Sequence, residues 1–115
     1  MSRRHRLSRS RDFDAVYRQG RSTSTRFLVL YWFPREETDG DPRLGLAVPK
    51  AVGGAVVRNR VKRQLRETWN ELGGHVRKGN DYVLVARPGF AEPADTRGHE
   101  WLVERVGEVL EKAAA

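Results

Sequence analysis

The chain has 115 residues, 38% hydrophobic and 32% charged, with 22 Lys and Arg against 15 Asp and Glu. That length fits one domain over residues 1–115, the absence of cysteine excludes a disulfide scaffold and thiolate chemistry, and the longest apolar run, Phe27–Phe33, is too short to cross a bilayer. A net charge of +7 points to a polyanionic partner, most often nucleic acid.

Met1–Arg6 reads as a short basic arm, with no apolar stretch that would make a secretory signal, so a soluble, cytoplasmic protein is expected. From Ser10 to Gln19, Phe13, Val16 and Tyr17 fall at i, i+3 and i+4, the spacing of one helical face. Ser10 suits the N-cap, Asp12 the first turn and Gly20 the C′ position. Phe27–Phe33 is apolar throughout and predicts a strand buried on both faces, with Phe27, Tyr31 and Phe33 on one side and Leu28, Leu30 and Trp32 on the other. Pro34 and the acidic stretch 35–42 form a turn, and Arg43–Val48 is a second strand that Pro49 ends.

After Gly53 and Gly54 comes the longest helical signal, Ala55–Leu72. Val57, Val61, Leu65, Trp69 and Leu72 make its apolar stripe. Asn59, Arg63 and Arg66 project from the opposite side, Arg60 and Lys62 lie on its borders, and Arg58 sits near the stripe's edge. Gly73 and Gly74 stop the helix. A turn at Lys78–Asp81 leads to a third strand, Tyr82–Ala86, then a loop, Pro88–Pro93, and a final helix, Arg97–Lys112. That helix gathers Leu102, Val103, Val106, Val109 and Leu110 on one face and Glu104, Glu108 and Glu111 on the other. The expected class is α+β: a small central β-sheet packed by helices in the order α-β-β-α-β-α. The first two strands are expected to pair as a hairpin, and the second and third to run parallel if adjacent.

The charge is segregated. Residues 1–26 carry eight Arg and two Asp, and residues 43–66 carry seven basic residues and no acid, whereas 27–42 and 88–115 are net acidic. Segregation of this kind marks a binding surface rather than general solubility. Its centre is the run Val57–Arg66, with Arg58, Arg60, Lys62, Arg63 and Arg66 crowded on one helix. Like charges at i, i+4 (Arg58 with Lys62, Lys62 with Arg66) destabilise a helix unless an anion lies along it. Four of the five are Arg, whose planar fork matches phosphate oxygens. Aromatic residues supply a second layer. Tyr17 and Tyr31 combine a ring that stacks on a base with a polar tip and are expected to be partly exposed, and Phe13 fits either core or surface.

Signals for catalysis by the protein are thin. His5, His75 and His99 lack metal-ligand spacing, Asp12 and Asp14 point apart on a helix, and no Walker loop, nucleophile elbow or dinucleotide fingerprint is present. No catalytic or metal-binding side chain is assigned.

The stretch Gly45-Leu46-Ala47-Val48-Pro49-Lys50, followed by Gly53-Gly54 and Val57-Arg58-Asn59-Arg60-Val61-Lys62-Arg63-Gln64-Leu65-Arg66-Glu67, resembles the signature of the bacterial ribonuclease P protein component. Arg6-Leu7, Asp12-Phe13, Val16-Tyr17 and Gly20 resemble that family's first helix, and Asp81–Arg87 its last strand. The chain has Ala47 where Ser is common, Ala51 where a second basic residue is common and Gly54 where a polar one is. The resemblance implies a ribosomal protein S5 domain 2-like fold with a left-handed βαβ crossover, against the usual hand. It implies a protein, monomeric alone, that assists a catalytic RNA in removing the 5′ leader of precursor tRNA, with Mg²⁺ bound mainly by the RNA. By the same resemblance Arg58, Asn59, Arg60, Lys62, Arg63 and Arg66 face the catalytic RNA, while Phe13, Tyr17, Tyr31 and Lys50 face the leader. A module that only clamps ribosomal RNA is the alternative, and a protein-only nuclease lacks a credible metal or general-base cluster.

Overall fold

The computed structural model describes residues 13, 16–18, 20–34, 42–73 and 80–114. The expected arm at 1–6, Ser10, Asp12, His5 and His75, the stretch 35–41 and the start of the turn at Lys78 lie outside the described residues. Four strands, β1 (Arg21–Ser24), β2 (Leu28–Pro34), β3 (Arg43–Ala47) and β4 (Asn80–Ala86), form one sheet in the order β1-β2-β4-β3. Helix α1 is Ala55–Glu71, α2 is Ala91–Thr96 and α3 is His99–Ala114. Phe13 and Val16–Arg18 are helical ahead of β1.

The expected hairpin between the two apolar strands does not form, because β4 inserts between them. β2 runs antiparallel to β4, with Leu28 opposite Ala86 and Pro34 opposite Asn80. β3 runs parallel to β4, from Arg43 opposite Asp81 to Ala47 opposite Val85, and α1 makes the crossover. The physical reason lies in β4 itself. Asp81, Tyr82, Val83, Leu84 and Ala86 are all buried, so this strand belongs where both of its faces are covered.

Two elements were not expected. β1, Arg-Ser-Thr-Ser, is an exposed edge strand with no apolar residue to set a period of two. α2 replaces the end of the expected loop, and Pro93 is tolerated as its third residue because the missing N–H belongs to a first turn that has no intrahelical acceptor. The last helix starts at His99, after Gly98 turns the chain at a φ of +81°.

One sheet face is fully covered. Leu28, Leu30, Leu44, Tyr82 and Leu84 pack there against Val61, Leu65 and Trp69 of α1 and Leu102, Val106, Val109 and Leu110 of α3. On the other face Val16 and Val83 are buried, with Phe13, Tyr31, Phe33, Ala47 and Val85 only partly covered. β2 is therefore buried on one side and half-open on the other. Phe27 leaves the face it was expected to share with Tyr31: it precedes the strand, at a bend, and joins the main core with its ring 5.1 Å from that of Trp101.

Candidate nucleic-acid interface

Helix α1 is held by its stripe. Val61, Leu65, Thr68 and Trp69 are buried, and the Thr68 hydroxyl donates to the Gln64 carbonyl at 2.8 Å, so that buried hydroxyl is satisfied. This anchoring fixes the opposite side outward. Asn59 and Arg63 are exposed, and Arg58, Arg60, Lys62 and Arg66 are half-buried along the borders. Among the described residues, Arg58, Lys62 and Arg63 have no ion pair, although Glu67 stands one turn after Arg63. Arg60 is different: its Nε lies 3.7 Å from Asp95 of α2. An acid distant in sequence thus reaches a helix whose own stretch, 43–66, contains none. The N-terminus of α1 has Gly54 at the N-cap with no side-chain cap and no acid in the first turn, so its positive end adds to the field of the cations.

Arg43 was counted with the same basic run, and its place in the structure removes it from the surface charge. Its Nε and Nη2 donate to the two carboxylate oxygens of Asp81 at 2.8 and 2.7 Å, and that carboxylate is 5% exposed. The pair is bidentate and joins β3 to β4.

The aromatic residues gather on the half-open sheet face. The Tyr17 ring meets Tyr31 edge-on at 4.9 Å, and Phe13 lies 6.3 Å from Tyr17. Tyr17 is 41% exposed; Phe13 and Tyr31 are half-buried. Gly20 sets the spacing. Its N–H donates to the Val16 carbonyl at 2.9 Å, and a Cβ there would press on that same carbonyl oxygen and sit 2.5 Å from the Trp32 carbonyl oxygen. Only glycine lets the helical segment lie this close to β2. Lys50 is exposed in a single 3-10 turn, Lys50–Val52, that follows edge strand β3, and no contact ties it to the rings. The arrangement offers a cationic helix for phosphates and ring edges for unpaired bases, on two different sides of the sheet.

The model of the ribonuclease P family matches residues 1–113. The chain belongs to the ribonuclease P protein family. Over 92 residues, 80% of this chain and 79% of the relative, it is 40% identical to the ribonuclease P protein component of Bacillus cereus (strain AH187). The structure of the Staphylococcus aureus ribonuclease P protein superposes with a TM-score of 0.79 at 31% identity, covering 95% of this chain and 94% of that one. The Thermotoga maritima ribonuclease P protein superposes with a TM-score of 0.82 at 28% identity, over 93% and 96% of the two chains. Family membership makes the chain a component of the ribonuclease P holoenzyme, which processes tRNA, and makes ribonuclease P RNA its partner. The mixed four-stranded sheet packed by helices is the family's fold. No helix among the described residues is long and apolar enough to cross a membrane.

Proposed function

We propose that α1 binds the catalytic RNA through Arg58, Asn59, Arg60, Lys62, Arg63 and Arg66, while Phe13, Tyr17 and Tyr31, with Lys50 in the turn after β3, hold the single-stranded 5′ leader of precursor tRNA. The protein acts in the cytoplasm as a monomer joined to RNA, and it assists RNA-catalysed hydrolysis without contributing a reacting side chain. The observation that carries this reading is a helix whose buried stripe leaves three cations, the exposed Arg63 and the half-buried Arg58 and Lys62, without carboxylate partners among the described residues. Such a row is self-repelling until an anionic backbone neutralises it. The leader assignment is supported by a sheet face left half-open beside Tyr17, whose ring presents a stacking surface to solvent.

Mg²⁺ in this reading is coordinated by RNA and supplies the Lewis acid and activated water when bound. Among the described residues no three His, Asp or Glu side chains stand close enough to hold a metal ion, so no protein group is assigned to it. The protein's part is to position the leader and to screen repulsion between two RNAs. The test is cleavage of precursor tRNA by the cognate RNA at low Mg²⁺, with and without the purified chain. Stimulation that weakens as the leader is shortened is expected. An unchanged rate refutes the reading, and co-purification with ribosomes without affinity for a leader supports the ribosomal-RNA clamp in its place.

A further inference from the structure

A second cationic, ring-lined recess is bordered by α2, the helix whose Asp95 meets Arg60. It is a cavity of about 480 Å³, within the ~300–1,000 Å³ typical of small-ligand pockets. The bend before β2 contributes Arg26 and Phe27, α2 and its C-cap contribute Glu92 and Arg97, and α3 contributes Trp101 and Arg105. Arg26 and Arg97 are exposed and have no ion pair among the described residues. Two guanidinium groups without a carboxylate partner among the described residues, Arg26 lying 5.2 Å from the Phe27 ring centre, therefore line the recess beside one carboxylate, Glu92.

The rings beneath are held in place. Trp101 is clamped between Phe27 at 5.1 Å and Phe90 at 5.5 Å, and the Arg105 guanidinium carbon lies 5.7 Å from the Trp101 ring centre. Glu104 at 3.2 Å and Glu108 at 3.7 Å hold Arg105 from outside, yet its Nε is buried with no hydrogen-bond partner. Trp101 stays partly exposed.

The geometry points to this recess as a site for one unpaired ribonucleotide of bound RNA, its phosphate on Arg26 and Arg97 and its base against Trp101. The inference rests on the RNA-binding reading of α1. Asp95 of α2 meets Arg60, while Glu92 and Thr96 of the same short helix line the recess, so RNA lying on α1 needs to cross only α2 to enter. Arginine supplies a planar fork for the phosphate, and the part of the Trp101 indole left exposed by Phe27, Phe90 and Arg105 is a rigid apolar contact for a base, made with little entropy lost.

The full chain is titrated with AMP while the Trp101 indole N–H signal is followed by NMR, with inorganic phosphate in parallel. AMP is expected to move that signal saturably, and Arg26→Ala and Arg97→Ala each to weaken binding about tenfold with unchanged circular dichroism. No saturable movement, an equal response to inorganic phosphate, or wild-type AMP affinity in both variants overturns the site. In the holoenzyme the double variant separates the two sources. Weakened affinity for catalytic RNA alone assigns the nucleotide to that RNA, and weakened affinity only for leader-bearing precursor assigns it to the substrate. Loss in neither overturns the proposal. Stimulation of cleavage by the wild-type chain reports separately on the function, so a chain that stimulates without binding AMP refutes the recess alone.

Discussion

Arg63 and Arg60 occupy the same helix and differ in what surrounds them, which gives them different expected behaviour. Arg63 is exposed with no ion pair among the described residues, so Arg63→Ala is expected to remove only its proposed contact to RNA. The affinity for catalytic RNA falls, the slope of log affinity against log salt drops by roughly one, and circular dichroism is unchanged. Filter binding across a salt series checks this, and loss of fold in the variant would contradict it. Arg60 shares its charge with Asp95 at 3.7 Å, both side chains being partly exposed, a pair worth no more than about 1 kcal/mol to the fold. Asp95→Asn is therefore expected to tighten RNA binding modestly at low salt while leaving stability nearly unchanged. Weaker binding by that variant would mean that Asp95 orients Arg60 rather than competing for it. The direction each of these side chains takes was legible from the spacing of the apolar stripe. The carboxylate beside Arg60 was not, because Asp95 comes 35 residues later in the chain and only the packing of α2 brings it near. Arg43 shows the same limit: as a member of a basic run it read as surface charge, and the β3–β4 register turns it into the partner of a buried acid. Arg43→Ala removes the bidentate donor of that buried acid and is expected to cost about 3 kcal/mol in urea unfolding.

At the scale of elements, the decisive contact is the approach of the N-terminal helical segment to β2 at Gly20. Gly20→Ala forces a methyl group against the Val16 and Trp32 carbonyl oxygens, both of which are backbone and cannot swing aside. Overpacking of this kind costs about 1–3 kcal/mol, and relief comes by moving the segment that carries Phe13 and Tyr17. The expected result is a chain that still binds catalytic RNA through α1 but loses most of its preference for precursor over mature tRNA. Equal loss of both affinities would show that the two surfaces are not independent. The long helix and the final helix were readable because each has a sustained apolar period and a glycine near an end. β1 gave no such signal, since its four polar residues gain their place from hydrogen bonds to β2 rather than from burial. The pairing of β2 with β4 was likewise invisible. A nine-residue connection between two apolar runs reads locally as a hairpin, and the competition is decided by which strand most needs cover on both faces.

For the whole molecule the charge pattern becomes a matter of orientation. α1 and α3 pack on the same face of the sheet, so the cationic outer side of one stands near the acidic outer side of the other. Glu100, Glu104, Glu108 and Glu111 are all exposed, and Arg105 and Lys112 among them moderate the field. A polyanion meets attraction along α1 and repulsion along α3, which limits the angles at which RNA settles on the protein. Repulsion of this kind adds little to the affinity for a partner whose backbone follows α1 and α2 and stays off Glu104, Glu108 and Glu111. Its effect falls on RNAs of other shapes that approach from the α3 side. Replacing Glu104, Glu108 and Glu111 by Gln is therefore expected to leave specific binding to catalytic RNA within about twofold at physiological salt, where exposed charges beyond roughly 8 Å are screened. Binding to an unrelated folded RNA should rise several-fold, most clearly at low salt. Competition titrations at two ionic strengths measure both quantities on one sample. A triple variant that gains equally for both RNAs would show that the acidic helix lies under the specific complex as well, and that the RNA extends from α1 across α3.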